Sequence, residues 1–236
     1  MSISEKLTTI AENTSKVYEA GKKAEYDKFW DAFQNGGKRT SYIYCFYGWS
    51  DENFYPKYDI APTGQGNNMF FLCKIKGDLG QRFSECGIEF DTSKMTVLGG
   101  MFQACYSLTA VPVLDFQGAN SNSLLDNIFY NCSSLITASL INIRADLRFS
   151  NVFVNCKNLE NLTVEGTIGQ NGFNVQWSKK LTKASLLSIL KALSLDITTT
   201  NTITFSTAHQ TTIETDPDCK SYYDVAKNAG WSFVYA

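Results

Sequence analysis

The phrase Phe-x-x-Cys-x-x-Leu occurs three times, in MFQACYSLTAVPVLDF (residues 101–116), IFYNCSSLITASLINI (128–143) and VFVNCKNLENLTVEGT (152–167). Each copy joins a hydrophobic turn and a small residue to a run whose apolar side chains alternate. Units of this kind cannot bury their apolar faces alone, so they are expected to stack on one another as a solenoid. A shorter match extends the pattern toward the N-terminus, giving the pairs Phe70/Cys73, Phe83/Cys86, Phe102/Cys105, Phe129/Cys132 and Phe153/Cys156.

The cysteine pattern favours buried thiols over a metal site. The chain has 7 Cys and one histidine, His209, and no two cysteines have the C-x-x-C spacing of a zinc site. Cysteine behaves as a small hydrophobe in protein interiors, and one slot of the repeat holds most of these residues. We therefore predict a ladder of free, buried cysteines, with no metal and no cofactor.

Composition and charge describe a globular chain. It has 236 residues, 44% of them hydrophobic, and a formal net charge of −2, which offers no basic face for nucleic acid. The start, MSISEKLTTIAEN, lacks the apolar core of a secretory signal, and no run approaches the roughly 20 apolar residues that span a bilayer. We expect synthesis in the cytoplasm, no membrane insertion and no nucleic-acid partner.

Residues 1–37 are predicted to be an N-terminal helical segment, with one long helix from Ser2 to Phe33. A capping box at Ser2 and Glu5 precedes a seam that repeats every seven residues, and Asn35-Gly36-Gly37 follows it. A heptad seam with no obvious cover in the chain indicates self-association, with a homotrimer as the first expectation. The alternative is a helix that folds back along the solenoid. The candidate oligomerisation residues are Ile3, Leu7, Ile10 and Val17.

Residues 38–67 are rich in aromatic side chains and contain a predicted strand, SYIYCFYGW, at 41–49. The favoured interpretation is an N-terminal cap over the open hydrophobic end of the repeats. The alternative is a platform of exposed rings on which sugars stack. The rings expected to stay partly exposed, and thus the weak ligand-binding candidates, are Trp49, Tyr55 and Tyr58.

The repeats occupy residues 68–178, and residues 179–236 are predicted to form a C-terminal α/β cap. Thr182 can cap a helix over SLLSILKAL, and a strand is expected around 202–206. A last helix over YYDVAKNA stops at Gly230 and leads into a strand, WSFVY.

The repeats and the C-terminal segment of the chain resemble those of a known family. The stretch FDTSKMTVLGGMFQACYSLTAVPVLDF (90–116) and the two copies after it look like the BspA-like leucine-rich repeats of bacterial surface proteins. LTKASLLSILKALS and NAGWSFVYA are similar to the cap that follows such repeats in surface and phage tail-associated proteins of gut bacteria. The resemblance implies a β-rich leucine-rich-repeat solenoid followed by a C-terminal α/β cap. Together with the long N-terminal helix predicted from the heptad seam, this gives a mixed α/β fold.

No catalytic constellation is evident in the sequence. The single histidine has no serine or cysteine partner at a recognisable spacing, and no glycine-rich phosphate loop is present. The carboxylates that a glycosidase would need are scattered among predicted turns, at Asp115, Asp126, Asp146 and Glu165. We therefore expect a protein that is not an enzyme.

The resemblance implies binding or attachment. The leading hypothesis is a non-catalytic attachment or structural protein, a phage tail or virion-associated component that binds the host. Its partners would be other virion proteins and a host surface protein or glycan. The alternatives are a bacterial cell-surface adhesin for protein or glycan ligands, and an intracellular scaffold.

Overall fold

The computed structural model describes residues 42, 44–50, 52, 54, 56–61, 63–120 and 124–236. These residues form a mixed α/β fold of short elements. The helices are α1 (Leu79–Glu85), α2 (Lys183–Lys191), α3 (Gln210–Thr215) and α4 (Pro217–Asn228). The strands are β1 (Gly77–Asp78), β2 (Leu108–Ala110), β3 (Leu114–Asp115), β4 (Leu124–Asp126), β5 (Thr137–Ile143), β6 (Arg148–Ser150), β7 (Asn161–Gly166), β8 (Asn201–Phe205) and β9 (Trp231–Tyr235).

The main sheet is parallel and curls into a half-barrel. Its strand order is β1-β2-β5-β3, and β7 pairs with the other side of β5. Leu140 of β5 aligns with Leu114 of β3 and with Val164 of β7, and all three side chains are buried. The pairs β4-β6 and β8-β9 form two further parallel sheets of two strands each.

Five turns of the chain each place one phenylalanine ring in the core. We call their stack the turn column; the turns lie at residues 44–48, 68–72, 100–104, 127–131 and 151–155. Each ring lies nearly parallel to the next, at centroid distances of 4.8, 5.2, 5.8 and 5.5 Å. All five rings are almost fully buried. The column therefore has a continuous aromatic centre made of Phe46, Phe70, Phe102, Phe129 and Phe153.

Hydrogen bonds tie each ring-bearing turn to the next one. The carbonyl oxygen of Phe102 accepts the backbone N–H of Cys105 at 3.1 Å and the thiol of Cys132 at 2.9 Å. The equivalent thiol bonds run from Cys73 to Phe46, from Cys105 to Phe70 and from Cys156 to Phe129, at 2.7 to 3.0 Å. Because the thiol is a small donor, it fits between two stacked turns where a larger polar group would separate them.

The predicted fold class is wrong: the described residues do not form a leucine-rich-repeat solenoid with a long N-terminal helix. The strands have only two to seven residues, and they belong to three separate sheets instead of one uninterrupted ladder. One reason is that neighbouring units differ in their strands. The unit at 101–116 contributes two short strands, β2 and β3, and both pair with the single longer strand β5 of the next unit. The helix predicted over residues 1–37 lies outside the described residues, and the described α-helices have six to twelve residues.

The predicted register of the repeat also needs a correction. Phe83 and Cys86 do not belong to the turn column, because Phe83 lies in α1 and Cys86 caps the C-terminus of that helix. Phe46 takes the first place in the stack, with Trp49 at the position of the cysteine. The strand predicted over 41–49 is likewise absent from its described part, where residues 44–48 form the first turn.

Helix α2 seals the edge of the main sheet at β7. Ser188 Oγ accepts the backbone N–H of Val164 at 2.7 Å and donates to the carbonyl oxygen of the same residue at 3.0 Å. Ser185 Oγ accepts the N–H of Leu162 at 2.8 Å and donates to the carbonyl of Glu160 at 2.9 Å. The two serines thus satisfy backbone groups that a further strand would otherwise pair, which removes an exposed edge.

The Phe129→Ala variant should lose about 3–5 kcal/mol of unfolding free energy, because the ring is fully buried between Phe102 and Phe153. Urea denaturation followed by circular dichroism measures this loss. The half-exposed Tyr106 provides the control, since Tyr106→Ala should change stability by less than about 0.5 kcal/mol. A similar small loss for Phe129→Ala would show that the ring column does not hold the fold.

The Ser188→Ala variant should lose about 1–2 kcal/mol, because both the N–H and the carbonyl of Val164 lose their partner. The same denaturation experiment checks this, and light scattering should show more self-association as the edge of β7 opens. Ser84→Ala on the exposed side of α1 is the matched control and should leave both properties unchanged. Equal behaviour of the two variants would contradict the sealing role.

Candidate functional site

The carboxylates considered for catalysis do not form a pair. Asp115 accepts hydrogen bonds from Asn142 Nδ2 and the Gln117 N–H, and Asp146 forms an ion pair with Arg144. Glu165 lies exposed on β7. Each of these groups either stabilises a local turn or faces solvent, so the described residues bring together no acid and base about one substrate.

Asp126 and His209 are the two remaining candidates for acid or base chemistry. Partial burial raises the pKa of Asp126, whose Oδ1 atom is buried without a hydrogen-bond partner in the described part of the chain. His209 is buried, and its Nε2 atom lies 2.8 Å from the carbonyl oxygen of Ser178. His209 is therefore held in the core, and Asp126 aligns with Ser150 in the β4–β6 pair. Within the described ranges, no group of three His, Cys, Asp or Glu side chains could hold a metal ion.

The thiols of the turn column are poor nucleophiles. Burial is the main cause that raises the pKa values of Cys105, Cys132 and Cys156, and the pKa of Cys132 is about 12. A thiol with that pKa is only about one ten-thousandth ionised at pH 8, and the thiolate is the reactive form. Cys86 differs from them because it is exposed, although slight burial and the neighbouring Glu85 raise its pKa too.

Two of the three predicted ligand-binding rings pack partly into the core. Trp49 makes edge-to-face contacts with Phe46 at 6.3 Å and with Phe54 at 5.3 Å. Tyr58 is half-buried against the core, with Lys57 Nζ 5.9 Å from its ring centroid. Tyr55 lies outside the described residues, as do the predicted oligomerisation residues Ile3, Leu7, Ile10 and Val17.

The described residues expose a cluster of aromatic and aliphatic side chains on two neighbouring turns. We call it the aromatic stripe and define it as Tyr44, Tyr47, Phe71 and Leu72. Tyr44 and Tyr47 are 53% and 52% exposed, and their ring centroids lie 5.6 Å apart at an interplanar angle of 88°. The Tyr47 ring also contacts Phe71 at 5.4 Å. Leu72, which is 39% exposed, follows Phe71 on the second of these two neighbouring turns.

The turn geometry explains why these rings face outward. Phe46 points into the stack, and the backbone on both sides of it adopts the left-handed conformation, at Tyr44 (φ 53°) and at Gly48 (φ 62°). In the next turn Asn68 and Leu72 adopt the same left-handed conformation around Phe70. Backbone bonds from Gly48 N–H to the Phe71 carbonyl (2.8 Å) and from Leu72 N–H to the Gln103 carbonyl (2.9 Å) hold the turns in register. The rings are therefore carried on a backbone that the buried column fixes.

The same surface becomes polar farther along the turn column. The position of Leu72 is occupied by Ala104, Asn131 and Asn155 in the following turns, all with positive φ. Asn155 Nδ2 donates to Asn131 Oδ1 at 2.6 Å, which links the last two turns on the outside. The aromatic stripe thus ends where the amide side chains begin.

Sequence reasoning recognised the aromatic density of residues 40–62 and named Trp49, Tyr55 and Tyr58 as partly exposed, whereas the most exposed rings in the described part of this segment are Tyr44 and Tyr47. The signal that could have found the aromatic stripe is the register of the column, because Phe46 and Phe70 are 24 residues apart, as are Phe129 and Phe153. With Phe46 in the core, Tyr44 and Tyr47 must lie at the outward positions beside it.

The chain matches no family model, and no curated protein or solved structure is significantly similar to it. No helix in the described residues is long and apolar enough to cross a membrane.

Thiol labelling of the native protein should modify Cys86 first, because it is the exposed cysteine, while Cys73, Cys105, Cys132 and Cys156 stay unmodified until the chain unfolds. This corrects the expectation that every cysteine of the repeat is buried. Peptide mapping by mass spectrometry after a short exposure to a maleimide identifies the modified residues. Rapid native labelling of any column thiol would contradict the hydrogen-bonded arrangement, and Cys86→Ser should leave the column thiols unlabelled.

Proposed function

We propose that this protein is a non-catalytic attachment protein, a phage tail or virion-associated component that binds the host through its aromatic stripe. The observation that carries the proposal is the pair of exposed tyrosines, Tyr44 and Tyr47, mounted on the buried ring column. Asp115, Asp146, His209 and the column thiols have structural environments, which supports a binding role over a catalytic one.

The aromatic stripe has the physical properties of a recognition surface. Tyrosine offers a large, amphipathic contact area and loses little conformational entropy when it binds, because it has only two side-chain torsions. The Tyr47 ring is already held between Tyr44 and Phe71, so its orientation is set before a ligand arrives. Rings preorganised in this way are typical binding hot spots. A host surface protein or glycan is the proposed ligand.

The assignment to a virion depends on the resemblance of the sequence to repeats and caps of phage tail-associated proteins. A homo-oligomer, with a trimer as the first expectation, would suit that role, because several weakly binding copies together hold a surface far more tightly than one copy. The proposed self-association residues are Ile3, Leu7, Ile10 and Val17. The alternative is an adhesin on the bacterial surface, and mass spectrometry of purified phage particles distinguishes the two.

The double variant Tyr44→Asn, Tyr47→Ser should weaken attachment to bacterial cells by about tenfold or more, because it removes both exposed hot-spot rings. Asparagine is chosen for position 44 because it tolerates the left-handed backbone there. Flow cytometry with the fluorescently labelled full chain on a panel of intact gut bacterial strains measures attachment.

The matched control is Tyr222→Ser, which removes a tyrosine of 41% exposure on α4, away from the turn column. This variant should attach like the parent protein. Prior treatment of the cells with protease or with periodate separates a protein receptor from a glycan receptor. Unchanged attachment of the double variant to strains that the parent binds would refute the aromatic stripe as the attachment surface.

A further inference from the structure

A second surface, distinct from the aromatic stripe, lies beyond the last turn of the column. It is a cleft of about 420 Å³ that we call the hydroxyl–amide groove. This volume falls within the range of small-molecule pockets, roughly 300–1,000 Å³. The side chains that matter for its chemistry are Ser150, Asn151, Asn171, Asn174, Thr202 and Thr204.

The groove forms where β8 joins the end of the turn column. Asn174 pairs with Thr204 in a parallel bridge, and the Val175 N–H donates to the Thr204 carbonyl at 2.8 Å. Along β8, Ile203 and Phe205 are buried, so the alternation of the strand turns Thr202 and Thr204 to the opposite side, toward the groove.

Gly172 lets the groove backbone approach β6 closely. Its φ is +103°, and a Cβ atom there would lie 2.0 Å from the carbonyl oxygen of Phe149. Only glycine fits this position, which brings the segment carrying Asn171 and Asn174 against the strand that ends at Ser150. The floor of the groove is therefore a fixed part of the fold.

Two asparagine side chains in the groove are oriented before any ligand binds. Asn171 Oδ1 accepts the backbone N–H of Thr202 at 2.6 Å, and Asn174 Oδ1 accepts the N–H of Gln176 at 2.9 Å. A backbone N–H requires an acceptor, so these bonds identify which amide atom is the oxygen. Each Nδ2 group consequently keeps its two donors for another partner.

The remaining polar groups of the groove are equally available. Within the described residues, the side chains of Ser150, Asn151, Thr202 and Thr204 make no hydrogen bond to the protein. Hydroxyls both donate and accept, and the Asn151 amide does both as well. The groove therefore offers a mixture of donors and acceptors on a rigid support.

We infer that the hydroxyl–amide groove binds a neutral saccharide, a mono- or disaccharide unit of a larger glycan. The lining includes no charged side chain, so neither an anion nor a cation would be neutralised there. An apolar ligand would strip water from at least six polar groups without replacing their hydrogen bonds, which is costly. Sugar hydroxyls replace those bonds one for one. Phe173 lies beneath the groove and is buried, so recognition proceeds by hydrogen bonding without ring stacking.

The inference goes beyond the proposed function and does not depend on it. The aromatic stripe is built on the first two turns of the column, whereas the groove follows the last turn, so each surface is tested by its own variants. If changes in the aromatic stripe abolish attachment, the inference of saccharide binding in the groove is not affected. Absence of saccharide binding would leave attachment through the stripe standing.

The test is a titration of the ¹⁵N-labelled full chain with a set of neutral probes, namely the methyl glycosides of glucose, galactose, mannose and N-acetylglucosamine and their neutral disaccharides. Glucuronate, inorganic sulfate and an uncharged tetrapeptide complete the set. At least one neutral saccharide should shift the side-chain amide signals of Asn151, Asn171 and Asn174 saturably in two-dimensional NMR spectra. The charged probes should produce no saturable shift.

Variants that keep the fold decide whether the groove is the site. Thr204→Val preserves the shape of a strand residue without its hydroxyl, and Asn151→Gly removes the amide while preserving the positive φ of 53°. Each change should raise the dissociation constant about three- to tenfold, the value of one hydrogen bond. Thr137→Val, the same change at an exposed position of β5, should leave the dissociation constant unaltered.

Three outcomes would overturn the inference. The first is that no saccharide shifts the groove amides at its highest soluble concentration. The second is that Thr204→Val and Thr137→Val bind the saccharide equally well. The third is a saturable shift produced by the tetrapeptide alone, which would assign the groove to extended peptides instead.

Discussion

The carbonyl oxygens of four column phenylalanines, Phe46, Phe70, Phe102 and Phe129, hold the structure together, because each joins its own turn to the next one. Each accepts the N–H three residues ahead, which closes the turn, and a thiol from the following unit, which fixes the distance between units. A buried carbonyl has two lone pairs, and both are used in these four. The rings can then stack with centroids 4.8 to 5.8 Å apart, and the short strands of the main sheet inherit their parallel register from the turns.

The stacking of the buried rings also determines which side chains of each turn reach the surface. When a ring is fixed inside, the residues two before and two after it adopt left-handed backbone conformations. Tyr44 occupies one of these positions in the first turn, and asparagines occupy both of them in the last two turns. The side chains at these outer positions can therefore differ along the column without altering the buried rings.

The sequence was sufficient to predict the core positions of the three full repeats and the cap of α2. Phe102, Phe129 and Phe153 follow one phrase at one place, and Thr182 caps α2 by accepting the Ser185 N–H. The fold class could not be predicted, because the length of each strand and its choice of partner depend on contacts between units of unequal length. Phe83 shows the limit of the motif: Phe-x-x-Cys occurs there too, but Asp78 caps a helix over it.

The local sequence of the groove residues does not reveal that they lie together in a cleft. Asparagine, glycine and threonine at 169–174 and 198–204 are typical of turns, and a turn is what the composition indicates. The geometry that gives them a possible role is long-range: Asn171 is oriented by Thr202, thirty-one residues away. Since no local pattern encodes that contact, a candidate site of this kind becomes visible only after the column and β8 have been placed together.

The edge of the main sheet shows how stacking can end without a polar penalty. Strand residues two apart, such as Leu162 and Val164, are separated by roughly 6.6 Å, whereas helix residues three apart rise by about 4.5 Å. Two serines at 185 and 188 cover this difference, because a hydroxyl on a single methylene can swing along the strand and still reach both a donor and an acceptor. A further strand would extend the edge, and an alanine helix would leave it unpaired. The serine-bearing face of α2 stops the sheet while satisfying its backbone, which allows the chain to turn away and build β8 and the groove beside it.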